Sequence, residues 1–139
     1  MKWSYTLLLA GALVVLFGLP FRGHNTASLL PVRTIVVERV GADLRLTTEA
    51  GTGTGRTWKQ AVRNLRSRAS GEVFLETAEQ AVFCGRAAAA AQTAAESGDL
   101  RPAAQVYFSR CTPEFEGLHA FLSAHETKLT VADLRREAA

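Results

Sequence analysis

The chain has 139 residues, 66 of them hydrophobic, and 15 of those 66 crowd into the first 21 positions. The other 118 residues carry 51 hydrophobic side chains, 21 of them alanine, enough for one small domain; this excludes a multidomain enzyme, a multi-spanning transporter and a repeat array. Sixteen basic against thirteen acidic residues give a net charge of +3 with no strong basic stripe, so charge gives no reason to expect a nucleic-acid partner.

Lys2 is the only charge before Arg22. From Trp3 to Phe21 the chain runs 19 residues, roughly 28 Å as a helix and just long enough to span a bilayer. Trp3 and Tyr5 at one end and Phe21-Arg22 at the other suit interface anchors. A basic start followed by an apolar stretch also fits a secretory signal, with Asn25-Thr26-Ala27 as its best, though poor, cleavage site. Residues 1–21 are therefore expected to be a signal anchor or a signal peptide, 22–31 a tether, and 32–139 one extracytoplasmic domain. The first alternative gives a single-pass membrane protein held through residues 3–21, and the second a secreted protein that begins near Ser28.

Pro31 leads into Val32–Val40, dense in Val and Ile, as strands are. Gly41-Ala42-Asp43 supplies turn chemistry, and Leu44, Leu46 and Thr48 alternate with Arg45, Thr47 and Glu49, which predicts a β-hairpin with one wet face. Gly51–Gly55 reads as a flexible break that permits positive φ. Thr57 is the expected N-cap of a helix that runs to about Ser70, with Trp58, Ala61, Val62, Leu65 and Ala69 on one stripe. Glu72–Cys84 stays open between helix and strand. Further along come an alanine-rich helix over Arg86–Glu96 and a strand in Ala103–Ser109. A helix opened by Pro113 and Glu114 follows, and a last short helix covers Thr130–Glu137.

Chemical motifs are sparse. Ala50–Thr57 (AGTGTGRT) invites comparison with a phosphate-binding loop, but Ala stands at its first glycine and Arg56 at its lysine. The glycine spacing also misses the dinucleotide fingerprint. Cys84, Cys111, His119 and His125 match no zinc spacing, so neither metal nor cofactor is expected. If a strand–helix–strand crossover joins them, Cys84 and Cys111 fall on the same edge of a parallel sheet, where a disulfide is geometrically reasonable; two small buried thiols are the other reading. The densest basic surface is the face of Lys59, Arg63 and Arg66, joined by Arg56, which reads either as a solvated helix face or as a surface for anionic headgroups, wall polymers or a partner protein.

The run Gly55–Leu65 (GRTWKQAVRNL), Val73-Phe74, Ala78–Gly85 (AEQAVFCG) and Arg101–Phe108 (RPAAQVYF) resembles a known pattern. It is similar to the amino-terminal domain of the C subunit of spore germinant receptors, the Ger(x)C lipoprotein family. The family's anchoring cysteine has no counterpart between residues 18 and 30, and Gln60 stands where the family has an acidic residue. The resemblance implies that Thr77–Cys84 is a strand, giving an α+β fold with a small mixed sheet in the order β-β-α-β-α-β-α-α after the leading helix. It also implies a non-catalytic role in assembly or ligand sensing at the membrane of a spore-forming bacterium, with an envelope or germination protein as partner. The alternative from another class is a small secreted or membrane-anchored hydrolase. A deep cleft gathering His119 or His125 with Cys84, Cys111 or a carboxylate would favour that alternative.

Overall fold

The computed structural model describes Thr6–Leu8 and residues 29–138. Apart from Thr6–Leu8, the expected membrane or signal segment lies outside the described residues, as do positions 22–28. Among the described residues no helix is long and apolar enough to cross a membrane.

In chain order the strands are β1 (Leu29–Pro31), β2 (Thr34–Val40), β3 (Asp43–Thr48) and β4 (Gly51–Gly55). Helix α1 (Trp58–Arg68), β5 (Glu72–Phe74) and β6 (Gln80–Cys84) follow, then α2 (Ala91–Glu96), β7 (Gln105–Ser109), α3 (Leu118–Ala124) and α4 (Val131–Ala138). Short 3-10 turns occupy Leu75–Thr77 and Gly85–Ala90. A five-stranded sheet in the order β4-β3-β2-β6-β7 forms the centre; β2, β3 and β4 are antiparallel, while β6 runs parallel to both β2 and β7. The fold is thus α+β with a mixed sheet. It carries three more strands than the sequence implied, at β1, β4 and β5.

The hairpin forms as expected, with Val40 opposite Asp43 and Gly41 in the left-handed region at φ +64°. Its wet face is smaller than the alternation indicates, because β2 sits in the middle of the sheet and is covered on both sides. Ile35 and Val37 join the main core with Leu44, Leu46, Trp58 and Leu65. Val36 faces the other way, into a second cluster with Val82, Cys84, Leu118 and Leu122 under α3.

Gly51–Gly55 corrects the expectation of a flexible break: it is edge strand β4, paired along β3 from Leu44↔Gly55 to Thr48↔Gly51. Only Gly51 of the three has positive φ. Gly53 and Gly55 are small because α1 lies directly on them. A Cβ on Gly53 would stand 2.5 Å from the carbonyl oxygen of Ala61, and one on Gly55 2.5 Å from its amide nitrogen. The G-x-G-x-G spacing is therefore a period-2 stripe against a helix.

Thr57 caps α1 as read, its hydroxyl accepting from Gln60 N at 3.2 Å. The alanine run does more than favour a helix. Ala87 and Ala90 are buried three residues apart, the spacing of a 3-10 turn, and Ala91, Ala94 and Ala95 are buried in α2. Small side chains there let α4 approach, and Arg135 of α4 closes the contact by donating to the carbonyl oxygens of Ala95 (2.5 Å) and Leu100 (2.9 Å). Residues 29–31, read as the end of a tether, belong to the domain: β1 pairs in parallel with β5, Leu29 opposite Glu72.

Candidate functional site

Helix α1 is amphipathic. Trp58, Ala61, Val62 and Leu65 face the core, while Lys59, Arg63 and Arg66 return at i, i+4 and i+7 on an outward strip. This strip borders a cleft of about 630 Å³, whose opposite wall comes from Thr93 and Glu96 of α2 and from Ser97 and Asp99 beyond it. A volume of that size falls within the usual range for ligand sites. Of the four basic residues singled out in the sequence, three line the cleft; Arg56 precedes the helix and does not.

The cleft's partnerships are uneven. Asp99 accepts the Trp58 indole N–H at 2.9 Å, and its other oxygen lies 3.9 Å from Arg66. Among the described residues Glu96 accepts only a long bond, 3.3 Å, from the Gln92 amide. Among the described residues the side chains of Lys59 and Arg63 have neither an ion-pair nor a hydrogen-bond partner. Asp99 and the partnerships across the cleft were not legible beforehand, since nothing local to Asp99 shows that it meets Trp58.

On the α3 side a second polar group forms. His119 Nδ1 lies 3.0 Å from Gln80 Oε1 and 3.3 Å from Thr34 Oγ1, while Nε2 lies 3.4 Å from Glu79 Oε2. Because Gln80 Oε1 also accepts from the Thr34 hydroxyl at 3.0 Å, Nδ1 is the natural donor to it. A histidine beside a carboxylate is the arrangement a hydrolase would need, but here both ring nitrogens face protein groups. Thr34 is only 1% exposed, so its hydroxyl is not presented to a substrate. Thr34 and His119 themselves line a hollow of about 360 Å³, together with Glu49, Phe115 and Glu116. His125 stands apart, with Nδ1 2.9 Å from Phe121 O and its ring stacked on Phe121. The described residues contain no group of three or more His, Cys, Asp or Glu arranged to hold a metal.

Cys84 is the last residue of β6, opposite Ser109, and Cys111 follows the same end of the parallel neighbour β7, but they are free thiols, the first buried and the second exposed. Burial pushes the Cys84 thiol above its ordinary pKa; the nearby Glu38 carboxylate and Cys111 push the same way, against a Thr112 hydrogen bond. Glu38 itself is held below the usual carboxylate range. Burial raises it, but the Thr112 hydroxyl and the Arg45 guanidinium, its cross-strand neighbour, together outweigh that effect.

No protein-family model, curated protein or solved structure matches the chain.

Proposed function

We propose that the chain is a non-catalytic, membrane-tethered, extracytoplasmic interaction module that works through the α1–α2 cleft and its basic wall. The observation that carries this reading is the gathering of Lys59, Arg63 and Arg66 along one cleft, with Lys59 and Arg63 left uncompensated among the described residues.

The path of the chain supports it. β1 pairs with β5, and Arg66 borders a smaller hollow together with Glu72 and Phe74 of β5. The tether therefore joins the domain beside the carboxy-terminal end of α1. The seven residues from Arg22 to Ser28 extend at most about 25 Å. Held by a segment ending at Phe21, the basic wall stays within reach of headgroups, where each surface cation contributes about 1 kcal/mol. The likeness to the Ger(x)C pattern adds a setting, sporulation or germination, with an envelope or germination protein as partner.

Sedimentation with anionic vesicles tests the reading. Arg63→Glu combined with Arg66→Glu should weaken adsorption by at least about tenfold; unchanged adsorption removes the proposal. A tagged copy confined to the membrane of the forespore or mother cell fits the germination setting, and uniform labelling of vegetative cells sinks it.

A further inference from the structure

The charges around the α1–α2 cleft are of both signs and largely unspent. Lys59 and Arg63 stand on the α1 wall without a partner among the described residues. On the opposite wall the Glu96 carboxylate receives one long amide bond and, among the described residues, no cation. Asp99 is not available in the same way, because the Trp58 indole and Arg66 already hold it. Lys59 and Arg63 thus line one cleft with Glu96, with no ion pair between them among the described residues. A ligand that carries both signs fits this arrangement better than a simple anion, which would meet Glu96 repulsively.

We infer that this cleft is a headgroup site for a phosphodiester bearing a primary ammonium, the phosphoethanolamine class, with Lys59 and Arg63 taking the phosphate and Glu96 the ammonium. The inference rests on the membrane-proximal reading above and deepens it from attraction at a surface to recognition in a pocket. Arg63 offers a guanidinium fork to phosphate oxygens and Lys59 a mobile second charge. A primary ammonium has three N–H donors for Glu96, whereas a quaternary choline has none. A phosphoglycerol headgroup satisfies the cations and leaves Glu96 without a counter-charge. Trp58 and Val62 border the same space but are almost wholly buried, so recognition falls to the charged side chains.

The test uses the full chain, ¹⁵N-labelled in maltoside micelles, and follows the Trp58 indole N–H resonance, which reports on the cleft because that group donates to Asp99. The probes are soluble glycerophosphoethanolamine, glycerophosphoglycerol and glycerophosphocholine. The ethanolamine compound should move the resonance and bind about tenfold tighter than either of the others, the value of one charge-assisted hydrogen bond. Glu96→Gln should abolish that preference while glycerophosphoglycerol binding persists. Arg63→Gln should weaken all three, and Thr93→Trp should fill the cleft and block binding without altering its charge. Equal binding of the three probes overturns the assignment. So does a preference that survives Glu96→Gln, or equally tight binding of glycine, a zwitterion without a phosphodiester. If no probe binds while the Arg63→Glu, Arg66→Glu pair still weakens vesicle adsorption, the headgroup site falls and the interaction reading stands. If adsorption is also insensitive to that pair, both fall.

Discussion

The Trp58 indole N–H donates to Asp99 Oδ2 at 2.9 Å, tying the first residue of α1 to a loop 41 positions later. The indole is 1% exposed, so its donor has no water to turn to if the acceptor is lost. Asp99→Ala is therefore expected to cost about 1–3 kcal/mol. Asp99→Asn keeps an acceptor oxygen and gives up only the 3.9 Å relation to half-exposed Arg66, which is worth well under about 1 kcal/mol. Urea denaturation of the two variants separates these contributions. Equal losses would mean that the indole bond does not secure the cleft.

Gly53 is expected to tolerate nothing larger. An added Cβ would meet the Ala61 carbonyl oxygen and Leu65 Cβ at 2.5 Å and the Leu65 amide nitrogen at 2.6 Å. Two of these atoms are backbone, so relief requires α1 to lift off β4. Gly53→Ala should destabilise by about 1–3 kcal/mol or more. Thr54→Ala, on the exposed face of the same strand, should stay within about 0.5 kcal/mol. Thermal denaturation of the two proteins checks the contrast; similar melting temperatures would show that α1 does not rest on the glycine stripe.

What was legible in the sequence follows the range over which each signal acts. Thr57 and Gln60 are three residues apart and the N-cap bond between them is local, so the start of α1 could be read directly. The hairpin turn at Gly41 is local as well. The role of Gly53 was not, because it depends on Ala61 and Leu65 packing above it. The same holds for the helix expected from Pro113: it begins only at Leu118, after Gly117 takes φ +76°, while Phe115 reaches back to the α3-side cluster. The basic strip of α1 was visible by its spacing, but the carboxylates opposite it come from a wall placed by tertiary packing.

Glu38 gives the fold a defined acid sensitivity. Its carboxylate accepts from Arg45 Nε at 2.6 Å and from Thr112 Oγ1 at 2.5 Å, and its folded pKa lies below its ordinary value of 4.5. A depressed folded pKa means the unfolded chain takes up the proton first. The contribution is therefore fully present above the ordinary value and is lost as pH falls through the folded one. Glu38→Gln should cost about 1 kcal/mol at pH 7, and the cost should shrink as pH falls from the ordinary value through the folded one and the native carboxyl takes up its proton. Urea midpoints measured across that range should converge for the two proteins; a constant offset would rule out the carboxylate's charge as the cause.

The two thiols should behave as different reagents. Cys111 is exposed, whereas Cys84 is 4% exposed at the end of a central strand, and its raised pKa leaves less thiolate at neutral pH. The thiolate is the nucleophile, so burial and raised pKa slow Cys84 together. With a chromogenic disulfide reagent at pH 7.5, Cys111 should react in a fast phase and Cys84 at least about tenfold more slowly. In a Cys111→Ser background only the slow phase should remain, and it should accelerate in urea as the β6 end opens. Raising the pH toward 9 should speed that phase as thiolate forms. Two fast thiols in the native chain would show that Cys84 is not sealed by the α3-side cluster and that this end of the sheet opens readily.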